Sequence, residues 1–181
     1  MATVAKLSRT AESPVAGEKE PGIVTHPLLI DTETLQQQLG QSGVVIIDVR
    51  GKAAYEFGGH IPGAVHSTWH EYSDPNAVAK GLLNPALGEI ERILQRLGVN
   101  QDSEVVIYSN PFDNWGDEGR MFWMLDYLGH TRLRILDGGW VKWTAEKRPF
   151  EHGSVSPTRG NFKAQARRDL IALKDDDLKG L

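Results

Sequence analysis

Short apolar runs alternate with amphipathic segments along most of this chain. Residues 44–48, 105–108 and 133–136 are runs of mainly β-branched and aliphatic side chains. Continuous runs of this length are typical of strands that are covered on both faces. A Pro-Gly turn within residues 60–66 predicts one more short strand directly after it. The pattern therefore predicts a buried sheet.

The segments between these runs have the spacing of helices. The clearest covers residues 85–97, with Asn84 as its predicted N-cap and Gly98 at its C-terminal end. Further helices are predicted for residues 52–57 and 120–128, for a segment capped by Asp31, and for one introduced by Gly138-Gly139. Because strands alternate with helices, the predicted fold class is α/β, with a central, mostly parallel sheet flanked by helices.

The predicted fold indicates where a ligand site and parts of the core should lie. Ligands in such folds bind at the carboxyl ends of the strands, which here are followed by the loops after Val49 and Tyr108. Trp123, Trp140 and Trp143 fall at helical positions, and we expect them to lie in the core.

Composition divides the chain into three parts. Residues 1–26 are polar without an apolar period, and are predicted to form a flexible N-terminal segment. Residues 27–150 carry the domain. Residues 151–181 begin as a linker containing Pro, Gly and Ser, and then repeat, over 170–181, the order of apolar and acidic positions in residues 27–39. Two readings of this repeat remain open: the start of a second copy of the fold, or an ordinary C-terminal helix.

The overall composition excludes several kinds of function. The 181 residues contain no cysteine, which excludes disulfides, thiolate metal sites and thiol nucleophiles within them. A net charge of −4 argues against a nucleic-acid-binding surface. No apolar run approaches a membrane span, and the first 25 residues lack the apolar stretch of a signal peptide. We expect no nucleic-acid or membrane partner, and favour a cytoplasmic location, or a periplasmic one if a signal peptide has been removed.

Four motifs occur in a specific order and spacing. They are Asp48-Val49-Arg50, the turn His60-Ile61-Pro62-Gly63-Ala64, the strand that ends at Tyr108, and Leu136-Asp137-Gly138-Gly139-Trp140. Over residues 27–147 this pattern resembles the rhodanese family of sulfurtransferases, whose chemistry runs through a cysteine persulfide. The resemblance implies a rhodanese-like three-layer fold with a central parallel sheet.

The resemblance also shows where a cysteine is missing. In catalytic rhodanese domains the cysteine directly follows the strand equivalent to residues 105–108. Backbone N–H groups of a tight loop and a helix N-terminus then lower the pKa of its thiol and hold the anionic sulfur. Ser109 occupies this position here, and ten residues separate it from Arg120, more than in the tight loop. This length resembles the cysteine-free N-terminal half of tandem-domain thiosulfate and 3-mercaptopyruvate sulfurtransferases. We expect the Ser109 hydroxyl to hydrogen-bond within the loop and not to act as a nucleophile.

The loop that follows combines acidic and aromatic residues. Its acidic residues are Asp113, Asp117 and Glu118. They would repel an anionic sulfur donor, and Arg120 is predicted to pair with one of them. Phe112 and Trp115 are either an exposed contact surface or a local plug. In the tandem sulfurtransferases this loop faces the second domain. The resemblance therefore favours an interdomain surface formed by Phe112, Asp113, Trp115 and Arg120.

Asp48, Arg50 and His60 lie where the resemblance implies structural support for the loop face. We favour a bridge between Asp48, Arg50 and the turn at residues 60–64 over direct contact with a substrate. His60, His66 and His70 belong to no zinc-type motif. We therefore expect no metal and no cofactor.

These inferences give two functional hypotheses. The first is a non-catalytic rhodanese domain of a sulfurtransferase that moves sulfane sulfur from thiosulfate or 3-mercaptopyruvate to a thiophilic acceptor. Its partner would be a second rhodanese domain of the same parent chain, which holds the active cysteine, and the anionic donor would bind only to the full-length protein. The second is a stand-alone, inactive rhodanese module that binds another protein. Either way, the cysteine-free chain is predicted to be inactive alone.

Overall fold

A five-stranded parallel sheet forms the centre of the domain. The computed structural model describes residues 28–79, 81–112 and 116–170. Within them the strands are β1 (Leu29–Ile30), β2 (Val44–Asp48), β3 (Val65–His66), β4 (Glu104–Tyr108) and β5 (Leu133–Leu136). They are arranged in the order β1-β5-β4-β2-β3, and every pairing is parallel. The predicted α/β fold with a central parallel sheet is confirmed.

Helices cover both faces of this sheet. In the described ranges they are α1 (Thr32–Gln38), α2 (Lys52–Gly58), α3 (Leu87–Arg96), α4 (Asp117–Tyr127) and α5 (Gly139–Ala145). A short 3-10 helix, Trp69–Tyr72, follows β3. None of the helices in this part of the chain is long and apolar enough to cross a membrane.

Neighbouring residues of each central strand enter different apolar clusters. Ile47 and Ile107 pack in one cluster with residues of α3 and α4. Ile46 and Val106 pack in the other with residues of α1 and α5. Because successive side chains of a strand point to opposite faces, both faces of β2 and β4 are buried. This explains why the sequence shows continuous apolar runs and no polar alternation.

Two helix ends follow local rules that the sequence shows directly. Asp31 caps α1 by accepting a hydrogen bond of 2.7 Å from the backbone N–H of Thr34. Gly98, just after α3, has a φ of +84°, in the left-handed region that favours glycine. Both predictions are confirmed.

Two other helices begin at residues that differ from the predicted ones. α3 begins at Leu87, because the Asn84 side chain accepts a hydrogen bond from a backbone N–H two residues later and forms a turn before the helix. α4 begins at Asp117 and not at Arg120. Asp117 and Glu118 form its first turn, where negative side chains offset the helix dipole.

An extended segment crosses the domain after α5. Residues 149–167, here called the strap, contain no helix and one isolated bridge, in which His60 and Glu151 exchange backbone hydrogen bonds of 2.8 and 2.9 Å. Phe162 of the strap is fully buried in the cluster formed with α3 and α4. The strap, whose composition suggested a linker, therefore completes the core. The predicted flexible segment 1–26 and the repeat in 170–181, apart from Leu170, lie outside the described residues.

Candidate functional site

A closed network of polar side chains lies at the carboxyl ends of β2 and β4. Asp48 and Tyr108, the last residues of these strands, are partners in the sheet register. The Tyr108 hydroxyl donates to the Asp48 carboxylate at 2.6 Å, and the Arg50 guanidinium donates to the same carboxylate at 2.6 and 3.0 Å. None of the three residues is more than 3% exposed. The network is therefore sealed from solvent.

This network holds the turn at residues 60–64 against the sheet. Arg50 donates to the Gly59 carbonyl at 2.7 Å, and the Ile61 N–H donates to the Tyr108 hydroxyl at 3.2 Å. The Tyr55 hydroxyl donates to a third point of the turn, the Ala64 carbonyl, at 2.8 Å. Sequence reasoning placed Asp48 and Arg50 here but missed both tyrosines. For Tyr108 a signal was available, because it ends an apolar run and its hydroxyl needs a buried partner.

Burial and the Asp48 charge shift the ionisation of the network. Burial opposes the charge of Arg50, but the hydrogen bonds and charge of Asp48 outweigh it and raise the pKa of the guanidinium. Burial and then the Asp48 charge raise the pKa of Tyr108 well above its usual value. The guanidinium therefore stays charged and the phenol stays neutral near physiological pH. This suits a fixed structural link better than proton transfer.

His60 connects the turn to the strap. It is fully buried, with Nδ1 3.1 Å from the Ile61 carbonyl oxygen and Nε2 3.0 Å from the Gly153 carbonyl oxygen. Its ring stacks on Tyr55 with ring centroids 4.1 Å apart. A Glu151 carboxylate oxygen lies 3.9 Å from Nδ1. The histidine of the turn motif is thus surrounded by protein groups.

The three histidines considered for metal binding have separate surroundings. His66 contacts the Arg50 carbonyl through Nε2 at 2.7 Å, and His70 stacks on Trp69. Over residues 28–79, 81–112 and 116–170, no group of three or more His, Asp or Glu side chains is arranged to hold a metal ion.

Ser109, at the family's cysteine position, hydrogen-bonds to an acidic side chain. Its hydroxyl donates to the Glu118 carboxylate of α4, and its carbonyl accepts from the Trp140 N–H at 2.9 Å. A cavity of about 140 Å³ adjoins it and is also lined by Glu118 and Asp137. None of the hydrogen bonds that Ser109 makes with the described residues reaches a histidine or a lysine, and a carboxylate is a much weaker base for a hydroxyl. The two carboxylates also oppose binding of an anion.

The Gly138-Gly139 pair lets the β5–α5 turn approach the end of β4. Gly139 has a φ of +52°, and a Cβ atom at this position would lie 2.4 Å from the Ser109 carbonyl oxygen. A side chain here would therefore push the turn away from β4.

Of the four residues predicted to form the interdomain surface, the structure describes Phe112 and Arg120. Phe112 is 82% exposed, whereas Asp113 and Trp115 lie outside the described residues. The Arg120 guanidinium lies 4.4 Å from the Trp69 ring centroid and donates to the Gly81 carbonyl. These contacts of Arg120 were not foreseen, because the ring and the carbonyl come from a distant part of the chain.

An apolar groove runs between residues 81–87 and the outer face of α4. It has a volume of about 780 Å³. Trp123 lines it and is 43% exposed, with its ring stacked on Tyr127; Leu82, on the other side, is 57% exposed. The prediction that Trp123 lies in the core is wrong, because α4 turns Met121, Met124 and Leu125 towards the core and Trp123 lies off this buried face.

The chain matches known proteins over most of its length. A profile described as "Rhodanese-like domain" matches residues 31–146. The chain is 30% identical to the sulfur carrier protein TtuD of Thermus thermophilus, covering 84% of this chain and 52% of that protein. It is 31% identical to a thiosulfate sulfurtransferase of Azotobacter vinelandii, covering 82% and 54%. The chain thus spans about half the length of these relatives.

Solved structures give the same result for the fold. SseA from Escherichia coli is a 3-mercaptopyruvate sulfotransferase with the rhodanese fold, and its crystal structure superposes with a TM-score of 0.73 at 26% identity. The match covers 84% of this chain and 61% of that one. Tum1 of Saccharomyces cerevisiae shares the fold, with a TM-score of 0.65 at 18% identity.

Proposed function

Because the chain belongs to the rhodanese-like domain family, we propose that it is the non-catalytic domain of a tandem sulfurtransferase. The parent protein moves sulfane sulfur from thiosulfate or 3-mercaptopyruvate to a thiophilic acceptor. Its active cysteine belongs to a second rhodanese domain, which is the partner of this one. The observation that carries the proposal is the hydrogen bond from Ser109 to Glu118 at the family's cysteine position.

The chemistry of sulfur transfer supports this division of roles. A persulfide needs a thiolate to accept the sulfane sulfur, and these 181 residues contain no cysteine. The Ser109 hydroxyl cannot replace a thiol in this step, and the Glu118 carboxylate beside it repels an anionic donor. The domain therefore contributes structure and surface, and the reacting sulfur is held elsewhere.

The exposed apolar residues beside Ser109 support an interdomain surface. Leu29 and Pro111 line the cavity next to Ser109, and Leu29 is 55% exposed. Phe112, directly after Pro111, is 82% exposed. Large apolar side chains gathered at one edge are typical of a surface that another domain covers.

A second candidate function is a stand-alone module that binds another protein. The observation that favours it is the apolar groove lined by Leu82 and Trp123, which lies outside the Ser109 edge. An exposed tryptophan in an apolar groove is typical of a protein-binding surface.

A thiosulfate:cyanide sulfurtransferase assay separates the two candidates. It is run on this chain, on its Ser109→Cys variant and on the full product of the native reading frame. We expect the chain to be inactive because it has no thiol, and the variant to be inactive because Glu118 still faces position 109. We expect the longer product to be active. An inactive protein whose frame ends at Leu181 would favour the binding module. Activity of the unmodified chain would contradict both.

A further inference from the structure

A polar cavity lies beside the edge strand β3, separate from the Ser109 edge. It has a volume of about 410 Å³ and is bounded by α2, β3, the end of α3 and the strap. Its ionisable side chains, apart from Tyr55, are Lys52, Glu56, His66, Glu71 and Arg96. None of them lines the cavity next to Ser109. The volume is in the range of sites for small molecules, roughly 300–1,000 Å³.

His66 presents a hydrogen-bond acceptor in this cavity. Its Nε2 lies 2.7 Å from the carbonyl oxygen of Arg50. A carbonyl oxygen can only accept, so Nε2 must carry the proton of the neutral ring. This leaves the Nδ1 lone pair, which has no protein partner in the described part of the chain, free to accept from a ligand.

Arg96 presents a cation without a paired carboxylate. It lies in the last turn of α3 and forms no ion pair with any residue that the structure describes. Arg92, one turn earlier on the same helix, pairs with Glu89 at 3.7 Å. The second cation of the cavity, Lys52, has only a long contact of 3.7 Å with Glu56 and is 73% exposed.

Two carboxylates complete the lining. Glu71 uses Oε1 to accept from the Thr68 N–H at 2.9 Å and from the Ser67 hydroxyl at 3.2 Å. Its Oε2 has no hydrogen bond to the rest of the described chain. Glu56 likewise makes its contacts with Lys52 and Ser154 through Oε1. Each carboxylate therefore keeps an oxygen atom that can accept from a ligand.

The charges of this cavity select a dipolar ligand. The formal charges of its two cations and its two carboxylates cancel. An anion would face the carboxylates and a cation would face Lys52 and Arg96, whereas a zwitterion satisfies both signs. We propose that the cavity binds a free α-amino acid. Its carboxylate contacts the two cations, and its ammonium donates to Glu71 and to Nδ1 of His66.

Nuclear magnetic resonance of the 181-residue chain tests this with glycine, the smallest ligand of the class. We expect saturable shifts of the His66 imidazole signals during titration with glycine. Acetate and methylammonium, which each carry half of the ligand, should bind about 10-fold more weakly or worse, because each lacks one charge-assisted hydrogen bond. Acetate that binds as tightly as glycine, or the absence of a saturable shift, would overturn the proposal.

Two arginine variants of the same helix provide the matched comparison. Arg96→Gln should weaken glycine binding about 10-fold, whereas Arg92→Gln should leave it unchanged. Both side chains are exposed, and an unchanged melting temperature checks that folding is kept. Glu71→Gln, which keeps an acceptor oxygen for its backbone contact, should also weaken glycine binding. Equal effects of the two arginine variants would exclude Arg96 from the site.

Discussion

Asp48 shows how a single buried carboxylate can tie several parts of the domain together. It accepts from Arg50 and from Tyr108, which in turn hold Gly59 and Ile61 of the turn. A buried ion pair adds little net stability over an apolar pair of the same shape. Removing one partner is costly, however, because the other charge stays buried.

Asp48→Asn should therefore lower the free energy of unfolding by about 3–5 kcal/mol, since the Arg50 guanidinium loses its counter-charge. Asp137→Asn is the control, because Asp137 pairs with Lys142 at 2.6 Å with both side chains partly exposed. It should cost no more than about 1 kcal/mol. Urea unfolding measures both, and equal losses would show that burial of the pair does not determine its effect.

His130 should make stability depend on pH. It is fully buried against Phe162, and burial lowers its pKa below the usual value of 6.5. At a pH between the lowered native pKa and the unfolded value of 6.5, the unfolded state binds a proton that the native state does not. The contribution of this residue to stability is therefore complete above pH 6.5 and is lost as the pH falls towards the native pKa.

Urea unfolding at a series of pH values tests this with His130→Gln. The variant should lose less stability than the parent chain between pH of about 7 and 5, because glutamine does not titrate. Carboxylates titrate in both proteins, so the difference between the two curves isolates the imidazole. Parallel curves would contradict the prediction.

At the scale of elements, the strap acts as an additional layer of the core although it has almost no regular secondary structure. It forms backbone hydrogen bonds with the turn motif at His60, with Val99 after α3 and with Leu128 after α4. Phe162 inserts between the helices of that face. The domain therefore needs these residues even though their composition resembles a linker.

Phe162→Ala should lower the free energy of unfolding by about 3–5 kcal/mol, through lost burial and the cavity that remains. The matched control is Phe57→Ala, since Phe57 on α2 is 79% exposed. Its effect should stay within about 0.5 kcal/mol. Similar values for the two variants in denaturant unfolding would mean that the strap does not contribute to the core.

At the scale of the whole molecule, the exposed apolar edge beside Ser109 links the fold to the proposed function. Phe112→Ser should leave the melting temperature of the 181-residue chain unchanged, because this side chain is 82% exposed. In the longer product it should reduce sulfurtransferase activity roughly 5-fold or more, since it removes an apolar contact between the domains. The control, Phe57→Ser, should reduce neither. Full activity of the Phe112 variant in the longer product would remove this edge from the interdomain surface.

Features that depend on neighbours along the chain can be predicted from the sequence alone. The apolar runs of β2, β4 and β5, the Asp31 cap and the glycine after α3 follow from local spacing and backbone preference. The order of the four motifs identified the fold, and the missing cysteine excluded persulfide chemistry within these residues.

Contacts between distant residues, in contrast, depend on how the elements pack in the fold. Tyr108 reaches Asp48 across 60 positions, Phe162 fills the core from a segment that resembles a linker, and Arg96 joins His66 at one cavity. Trp123 faces outward although its helical position resembles that of Trp143, which is buried. Burial and polar partners arise from packing between elements, and local sequence preferences carry no information about which elements meet.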